Sequence, residues 1–276
     1  MQKSSAILLL IVTGILWSLT GVLVKSIRWS PISIAGSLCL FSALTQLCIT
    51  RRMPRVTSLV VISGSLFYAV NTILFIGAIY WSSIANAVLL QFSAPVYVAL
   101  VGGRFLEEPP RLRDWTSFIF ILFGMVLFFR DELTPVQMWG TLMAVLSGVT
   151  VAGYTICLRK QKHDEPIDSI MSGSALVIIG SSPWMIRESW DIESVAILAC
   201  LGLLCYGLAF TAYTAAIKHV RAVEALLIST LEIILGPFWG YLIFDEQPGA
   251  GAITGGGVIL VVVTLYGLLA IREPSS

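Results

Sequence analysis

AIYWSSIANAVLLQFSAPVYVALVGGRFLEEPP, residues 78–110, returns without a gap as AIKHVRAVEALLISTLEIILGPFWGYLIFDEQP, residues 216–248. Seven positions are identical, among them Ala87/Ala225, Leu89/Leu227, Gly102/Gly240, Glu108/Glu246 and Pro110/Pro248. Both copies run from an apolar stretch through an acidic pair, Glu107-Glu108 or Asp245-Glu246, into a proline. The offset of 138, from Ala78 to Ala216, is half of the 276-residue chain. The chain therefore reads as two copies of one unit, 1–131 and 132–276, joined in a single integrated domain.

Composition places this duplication in a membrane. Apolar residues make up 57% of the chain and charged residues 12%, against roughly 25% charged in a soluble domain. Mean hydropathy is +0.90. The charges cluster between apolar runs that approach the ~20 residues a helix needs to cross the hydrocarbon core. No alternating ten-residue pattern points to a barrel. The runs predict ten helices, at 6–24, 31–50, 57–80, 83–104, 112–130, 134–158, 167–186, 192–216, 222–243 and 250–271. The first run is expected to stay as a helix rather than be cleaved as a signal peptide. The fold expected is all-α and integral to the membrane, ten transmembrane helices arranged as two five-helix repeats.

An odd number of helices per repeat inverts the second copy in the bilayer. Lys and Arg set the orientation. Lys3, Arg51, Arg52, Arg55, Arg104, Arg111, Arg113, Arg159, Lys160, Lys162, Lys218, Arg221 and Arg272 fall on the side of the termini, and Lys25, Arg28, Arg130 and Arg187 on the other. Thirteen against four puts both termini in the cytoplasm of a bacterial inner membrane. Inverted repeats of this kind suit alternating access, because two like halves exchange inward-open and outward-open roles.

The net charge of +1 implies no nucleic acid partner. Five cysteines, Cys39, Cys48, Cys157, Cys200 and Cys205, lie inside apolar runs without CxxC spacing. They read as small buried side chains, and neither a metal nor another cofactor is expected. His163 and His219 are assigned to loops. No nucleophile–base pair stands at membrane depth, which argues against an intramembrane enzyme, and no filter sequence argues for a channel. Partners are expected to be a small-molecule substrate and the lipid bilayer, with the chain a monomer or weak homodimer. The small-residue face Gly251-xxx-Gly255 suits close helix contact, within the chain more than between chains.

Leu89-Leu90-Gln91-Phe92-Ser93-Ala94-Pro95-Val96, Leu226-Leu227-Ile228-Ser229-Thr230-Leu231-Glu232, the Glu108-Pro109-Pro110 and Glu246-Gln247-Pro248 ends, and Gly14-Ile15-Leu16-Trp17-Ser18 together resemble the EamA group of the drug/metabolite transporter superfamily. The resemblance covers nearly the whole chain. It implies a secondary transporter, mostly outward, of amino acids, other metabolites or drugs, with aromatic amino acid exporters among its described members. It also implies that helices 1, 3, 4, 6, 8 and 9 surround a central cavity while 5 and 10 are peripheral. One departure is that Glu232 is followed by Ile233-Ile234 rather than Pro-Val, with Pro237 five residues on.

Glu232 falls near the middle of helix 9, ~15 Å from each end at 1.5 Å per residue. A carboxylate there must face the bundle interior, pair or be protonated. It is a candidate for coupling or for a counter-charge, and equally for a structural lock between helices. Asn71, Gln91 and Ser93 are polar groups at membrane depth that need partners, from a substrate or from neighbouring helices. Tyr206, Phe210 and Tyr213 follow i, i+4, i+7 spacing, and Tyr68 is the repeat mate of Tyr206. With Phe75, Trp17, Tyr154 and Trp239 they form a candidate aromatic cavity lining or ordinary aromatic packing. Pro95 and Pro237 are candidate hinges. Glu108 and Glu246 are expected to cap the helices that follow them, and Glu224 to pair with Arg221 or Lys218. Trp29, Trp81, Trp115, Trp139, Trp184 and Trp190 fall near helix ends as an interfacial belt. The first expectation for substrate is an amino acid, aromatic ones included, with another metabolite or an organic cation as the alternative.

Overall fold

A hydroxyl and a proline start the second span. Ser30 Oγ accepts from the backbone N–H of Ser33 at 3.2 Å and Pro31 takes the first helical turn, where its missing N–H is unneeded. Ser58 and Asp191 cap two later helices in the same way. Arg51 and Glu107 stop helices by turning left-handed, at φ 53° and 58°. Such signals divide this computed structural model, which describes all residues except 83, 129–137, 234, 236–238, 240–249 and 273–276, into α1 (Lys3–Trp17), α2 (Thr20–Lys25), α3 (Pro31–Thr50), α4 (Leu59–Trp81), α5 (Ile84–Gln91), α6 (Ala94–Leu106), α7 (Leu112–Phe128), α8 (Met138–Lys160), α9 (Ile167–Met185), α10 (Ile192–Cys200), a π-helical segment Leu201–Leu208, α11 (Ala209–Ile217), α12 (Ala222–Ser229) and α13 (Ala250–Arg272).

Six of these stretches are long and apolar enough to cross a membrane. Among the described residues all regular structure is helical. Large apolar side chains such as Leu59, Leu112, Ile186 and Ile192 face outward, which in water would be an aggregation surface and in lipid is the expected coat. The chain is a multi-pass membrane protein.

Where the residues are described, the expected spans match within a few residues, but three are broken; ends of 112–130, 134–158 and 222–243 lie outside the described residues. Span 6–24 breaks at Ser18-Leu19, where Ser18 Oγ takes the carbonyl of Ile15 at 2.6 Å. Span 83–104 breaks at Phe92-Ser93. Pro95 has no N–H to offer the carbonyl of Gln91, and Ser93 Oγ takes that of Leu90 at 2.8 Å. Span 222–243 breaks at Thr230, which stands 138 residues beyond Phe92. Ser229 and Thr230 turn their hydroxyls back on Ala225 and Leu226 at 2.9 and 3.0 Å, the local competition that bends helices. Residues 231–233 are helical again.

The π-helical turn in span 192–216 lies against α3. A side chain at Gly202 would come within 2.6 Å of the Leu38 carbonyl, so the two backbones touch there. Elsewhere α4 lies along α8 and α9, α1 along α11, and α7 along α13. Gly124 of α7 faces the backbone of Gly255, which uses one glycine of the small-residue face within the chain. Two residue expectations change. Trp29 is buried, edge-on to Trp190 at 4.9 Å, rather than part of an interfacial belt. Cys48 is exposed rather than buried.

Candidate functional site

Breaks in the first, fourth and ninth spans meet around one cavity. α1 and α2 contribute Trp17 and Thr20; α4 contributes Asn71 and Phe75; the α5–α6 break contributes Val88, Gln91, Phe92, Ala94 and Pro95. α8 adds Val151 and Tyr154, the π segment and α11 add Tyr206 and Phe210, and α12 with its continuation adds Leu226, Ser229, Thr230, Glu232 and Ile233. A continuous helix would point these backbones away from the centre. The broken ones place irregular backbone beside it, where such backbone is tolerated at membrane depth. Close approach is required at two contacts. A Cβ on Gly14 would lie 2.9 Å from the Ser229 carbonyl, and one on Gly148 would lie 3.1 Å from the Gln91 carbonyl.

One wall is aromatic, with Phe210 at its hub. Its ring stands 5.1 Å from Trp17, 5.0 Å from Tyr68, 6.0 Å from Tyr154 and 5.6 Å from Tyr206, mostly edge-on or tilted. The polar part of the wall is a small network. Asn71 Oδ1 accepts from Thr150 Oγ1 at 3.2 Å and from Gln91 Nε2 at 3.5 Å, and Gln91 Nε2 also donates to Ser147 Oγ at 3.3 Å. Glu232 is half-buried on the cavity wall. No hydrogen bond or ion pair joins its carboxylate to another described residue, and no lysine, arginine or histidine is among the described lining residues. The cavity can thus stack on a ring, hydrogen-bond to polar groups and present one carboxyl group.

Of the candidate residues, Trp17, Asn71, Phe75, Gln91, Pro95, Tyr154, Tyr206, Phe210 and Glu232 come together here. Four others do not line it. Tyr68 is fully buried behind Phe210. Ser93 turns to its own Leu90 carbonyl and packs against Gly148. Tyr213 is buried against Trp17, its hydroxyl bonded to Thr155 at 3.2 Å. Helical spacing does not keep it in the lining with Tyr206 and Phe210, because its ring packs against Trp17 at 5.3 Å. Trp239 donates its indole N–H to Ser18 Oγ at 2.8 Å, bracing the α1–α2 break. Pro237 lies outside the described residues. Lys25 stays outside the cavity, exposed, with Nζ on the Ser82 carbonyl at 2.9 Å. Sequence reasoning missed Thr20, Ser229 and Thr230 as lining and Ser147 and Thr150 as supports. Hydroxyls in a helix carry no periodic signal of their own.

It also missed a second polar cluster, at the face carrying the N-terminus. Arg159, almost fully buried, bonds Glu108 through Nε at 2.7 Å and the carbonyls of Ile217 and Lys218 at 2.9 Å each. Arg221 bonds Asp114 at 3.0 Å and the Pro109 carbonyl at 2.6 Å. Glu224, wholly buried, takes Arg113 at 2.8 Å, Lys3 at 3.3 Å and the backbone N–H of Arg221 at 3.1 Å. Tyr266 donates to Asp114 at 2.7 Å. The partners differ from those expected. Glu224 pairs with Arg113 and Lys3, while Lys218 goes to Glu165 at 3.3 Å. Glu108 accepts from the backbone N–H of Ala222 at 3.2 Å, capping α12 of the other half, while Asp114 caps α7 through the Arg111 N–H at 2.8 Å. Glu246 lies outside the described residues.

The family model described as the EamA-like transporter family matches residues 4–130 and again 138–268. The chain is 23% identical over 242 residues to the pseudopaline exporter CntI of Pseudomonas aeruginosa, covering 83% of this chain and 81% of that one. It is 23% identical over 209 residues to an S-adenosylmethionine uptake transporter of Rickettsia bellii, covering 70% and 69%. It is 24% identical over 284 residues to mouse solute carrier family 35 member G1, covering 93% and 76%. A solved crystal structure superimposes with a TM-score of 0.82 over 99% of this chain and all of that one, at 17% identity, and so shares the fold.

Proposed function

Because this chain belongs to the EamA-like transporter family, we propose that it moves small amphipathic metabolites bearing an ammonium group outward by alternating access, with amino acids carrying aromatic side chains the first class. It is a small-molecule transporter rather than an enzyme. The observation that carries the substrate class is the cavity itself. Glu232 is its only carboxylic acid or base among the described lining residues, which also include Tyr154, Tyr206 and the carboxamides of Asn71 and Gln91. The ammonium sits on Glu232 and the ring against Trp17, Tyr154, Tyr206 and Phe210, where a cation also meets the negative faces of the rings. The substrate carboxylate has only uncharged donors to meet it. That favours a second reading, organic cations without a carboxylate.

The names of two relatives imply opposite directions, export of pseudopaline and uptake of S-adenosylmethionine. The exporter matches more of the chain, 83% against 70%, which supports the outward reading. The two halves, 1–131 and 132–276, are read as inverted five-helix repeats working as one unit in a bacterial inner membrane. The Lys/Arg asymmetry supports cytoplasmic termini. The contact of Gly255 with Gly124 supports a monomer.

Thermal unfolding of the purified protein with three probes tests this. A ligand that binds the native state raises apparent stability, by about 2.7 kcal/mol at a hundred times Kd. Phenylalanine and phenethylamine should stabilise and phenylpropionate should not. If phenethylamine stabilises and phenylalanine does not, the second reading stands alone. Stabilisation by phenylpropionate equal to that by the amine overturns the assignment of Glu232.

A further inference from the structure

The buried ion-pair cluster at the N-terminal face ties together the ends of helices that form the cavity further along. Lys3 precedes Trp17 on one broken span, Glu108 follows α6, Arg159 ends α8 and Glu224 begins α12. The cluster at Ala222–Glu224 and the cavity at Ser229–Glu232 are five to ten residues apart, ~7–15 Å along α12 and its continuation past Thr230. Opening this face to load or release a substrate moves α12 and α8 away from the 107–114 turn. It therefore separates Arg159 from Glu108, Arg221 from Asp114 and Arg113 from Glu224 together, removing charges from partners 2.7–3.0 Å away.

Read as inverted repeats, the two halves place residues 138 apart at opposite faces. Arg113, Asp114, Arg159, Arg221 and Glu224 correspond to Gly251, Ala252, Gly21, Ser83 and Asn86, and Lys3 to Thr141. Of the seven groups only Glu108 keeps its charge, as Glu246. Two inverted halves without such a difference would balance their two gates. We propose that the Glu108–Arg159, Asp114–Arg221 and Glu224–Arg113–Lys3 pairs are a latch that has no counterpart at the other face among the described residues, and that this asymmetry holds the resting transporter closed at the N-terminal face and accessible from the other. Breaking a buried pair costs more than forming it contributes, so the latch acts as a threshold. It opens when the whole set parts, and it keeps the cavity sealed on that side while empty.

The test needs no substrate and stands apart from the substrate reading. In a cysteine-free background, Val151→Cys reports on the cavity, and an N-terminal tag identifies the face in oriented vesicles. A membrane-impermeant maleimide should label it slowly from the tag side and faster from the other. Neutralising a pair without stranding a charge, Glu224→Gln with Arg113→Met, should raise tag-side labelling at least about tenfold, the effect of ~1.4 kcal/mol in the balance of states, and lower labelling from the opposite side. Faster labelling from both sides would mean general loosening, and unchanged ratios would mean no latch. Either result overturns the proposal. Should the double variant fail to stay monodisperse, amide exchange on the unmodified protein decides. The Arg221 and Ala222 amides, bonded to Glu224 and Glu108, should exchange more slowly than the amides of their mates Ser83 and Ile84. Equal rates refute the asymmetry.

Discussion

Replacing Glu232 by Gln separates the two roles the residue was open to. The side chain is half-buried on the cavity wall and makes no hydrogen bond or ion pair with another described residue. Gln has nearly the same shape, so folding loses no contact. The stability change should stay within about 0.5 kcal/mol, or ~1–2 °C in apparent Tm at about 2–4 °C per kcal/mol for a chain of this size. An ammonium bonded to a carboxylate contributes about 1.5–3 kcal/mol, so affinity for phenethylamine should fall roughly 10- to 150-fold. Titration calorimetry in detergent reads the second number and a fluorescence melt the first. A fall in stability above about 2 kcal/mol with amine affinity unchanged would refute the reasoning. Glu232 would then be a lock between helices, not a counter-charge.

Two further perturbations test the scaffold. Arg159→Met leaves Glu108 without its 2.7 Å partner and frees the carbonyls of Ile217 and Lys218. It should destabilise by roughly 3–5 kcal/mol, and the double change with Glu108→Gln should recover part of the loss, because the cost is mainly a stranded charge; a melt showing simple additivity would contradict this. Gly148→Ala places a methyl 3.1 Å from the Gln91 carbonyl and against Ser93, and should cost about 1–3 kcal/mol and weaken ligand binding by displacing Gln91. Gly180→Ala, with nothing within 4 Å, should be neutral or stabilising by about 0.5–1 kcal/mol, and the two melts side by side are the check.

Much of this was legible in the chain. Apolar runs of ~20 residues between charge clusters specify membrane helices because an unpaired backbone group in hydrocarbon costs several kcal/mol, and a helix satisfies its own. The repeated stretch at an offset of 138 announced a duplication, and the family model matches each half in turn. A carboxylate at Glu232 and carboxamides at Asn71 and Gln91 were conspicuous because polar groups are rare at such depth, and the structure places all three on one cavity. Pro95 marked the α5–α6 break because a missing N–H is a local property.

Other features depended on distance in space. Spacing put Tyr206, Phe210 and Tyr213 on one face, but Tyr213 packs on Trp17, a residue 196 positions away. Tyr68 has the composition of a lining residue and the position of a buried support, since only the neighbours α8 and α11 decide which side of α4 faces the cavity. The partners of Arg159, Arg221 and Glu224 were likewise hidden, because a charge near a helix end reads as solvated until another helix removes its water. Local chemistry in the sequence determined where the chain is helical, where it breaks and that it belongs in lipid. Tertiary packing decided which polar groups share a cavity and which charges are buried in pairs, because burial is a property of surroundings that the chain brings together only when it folds.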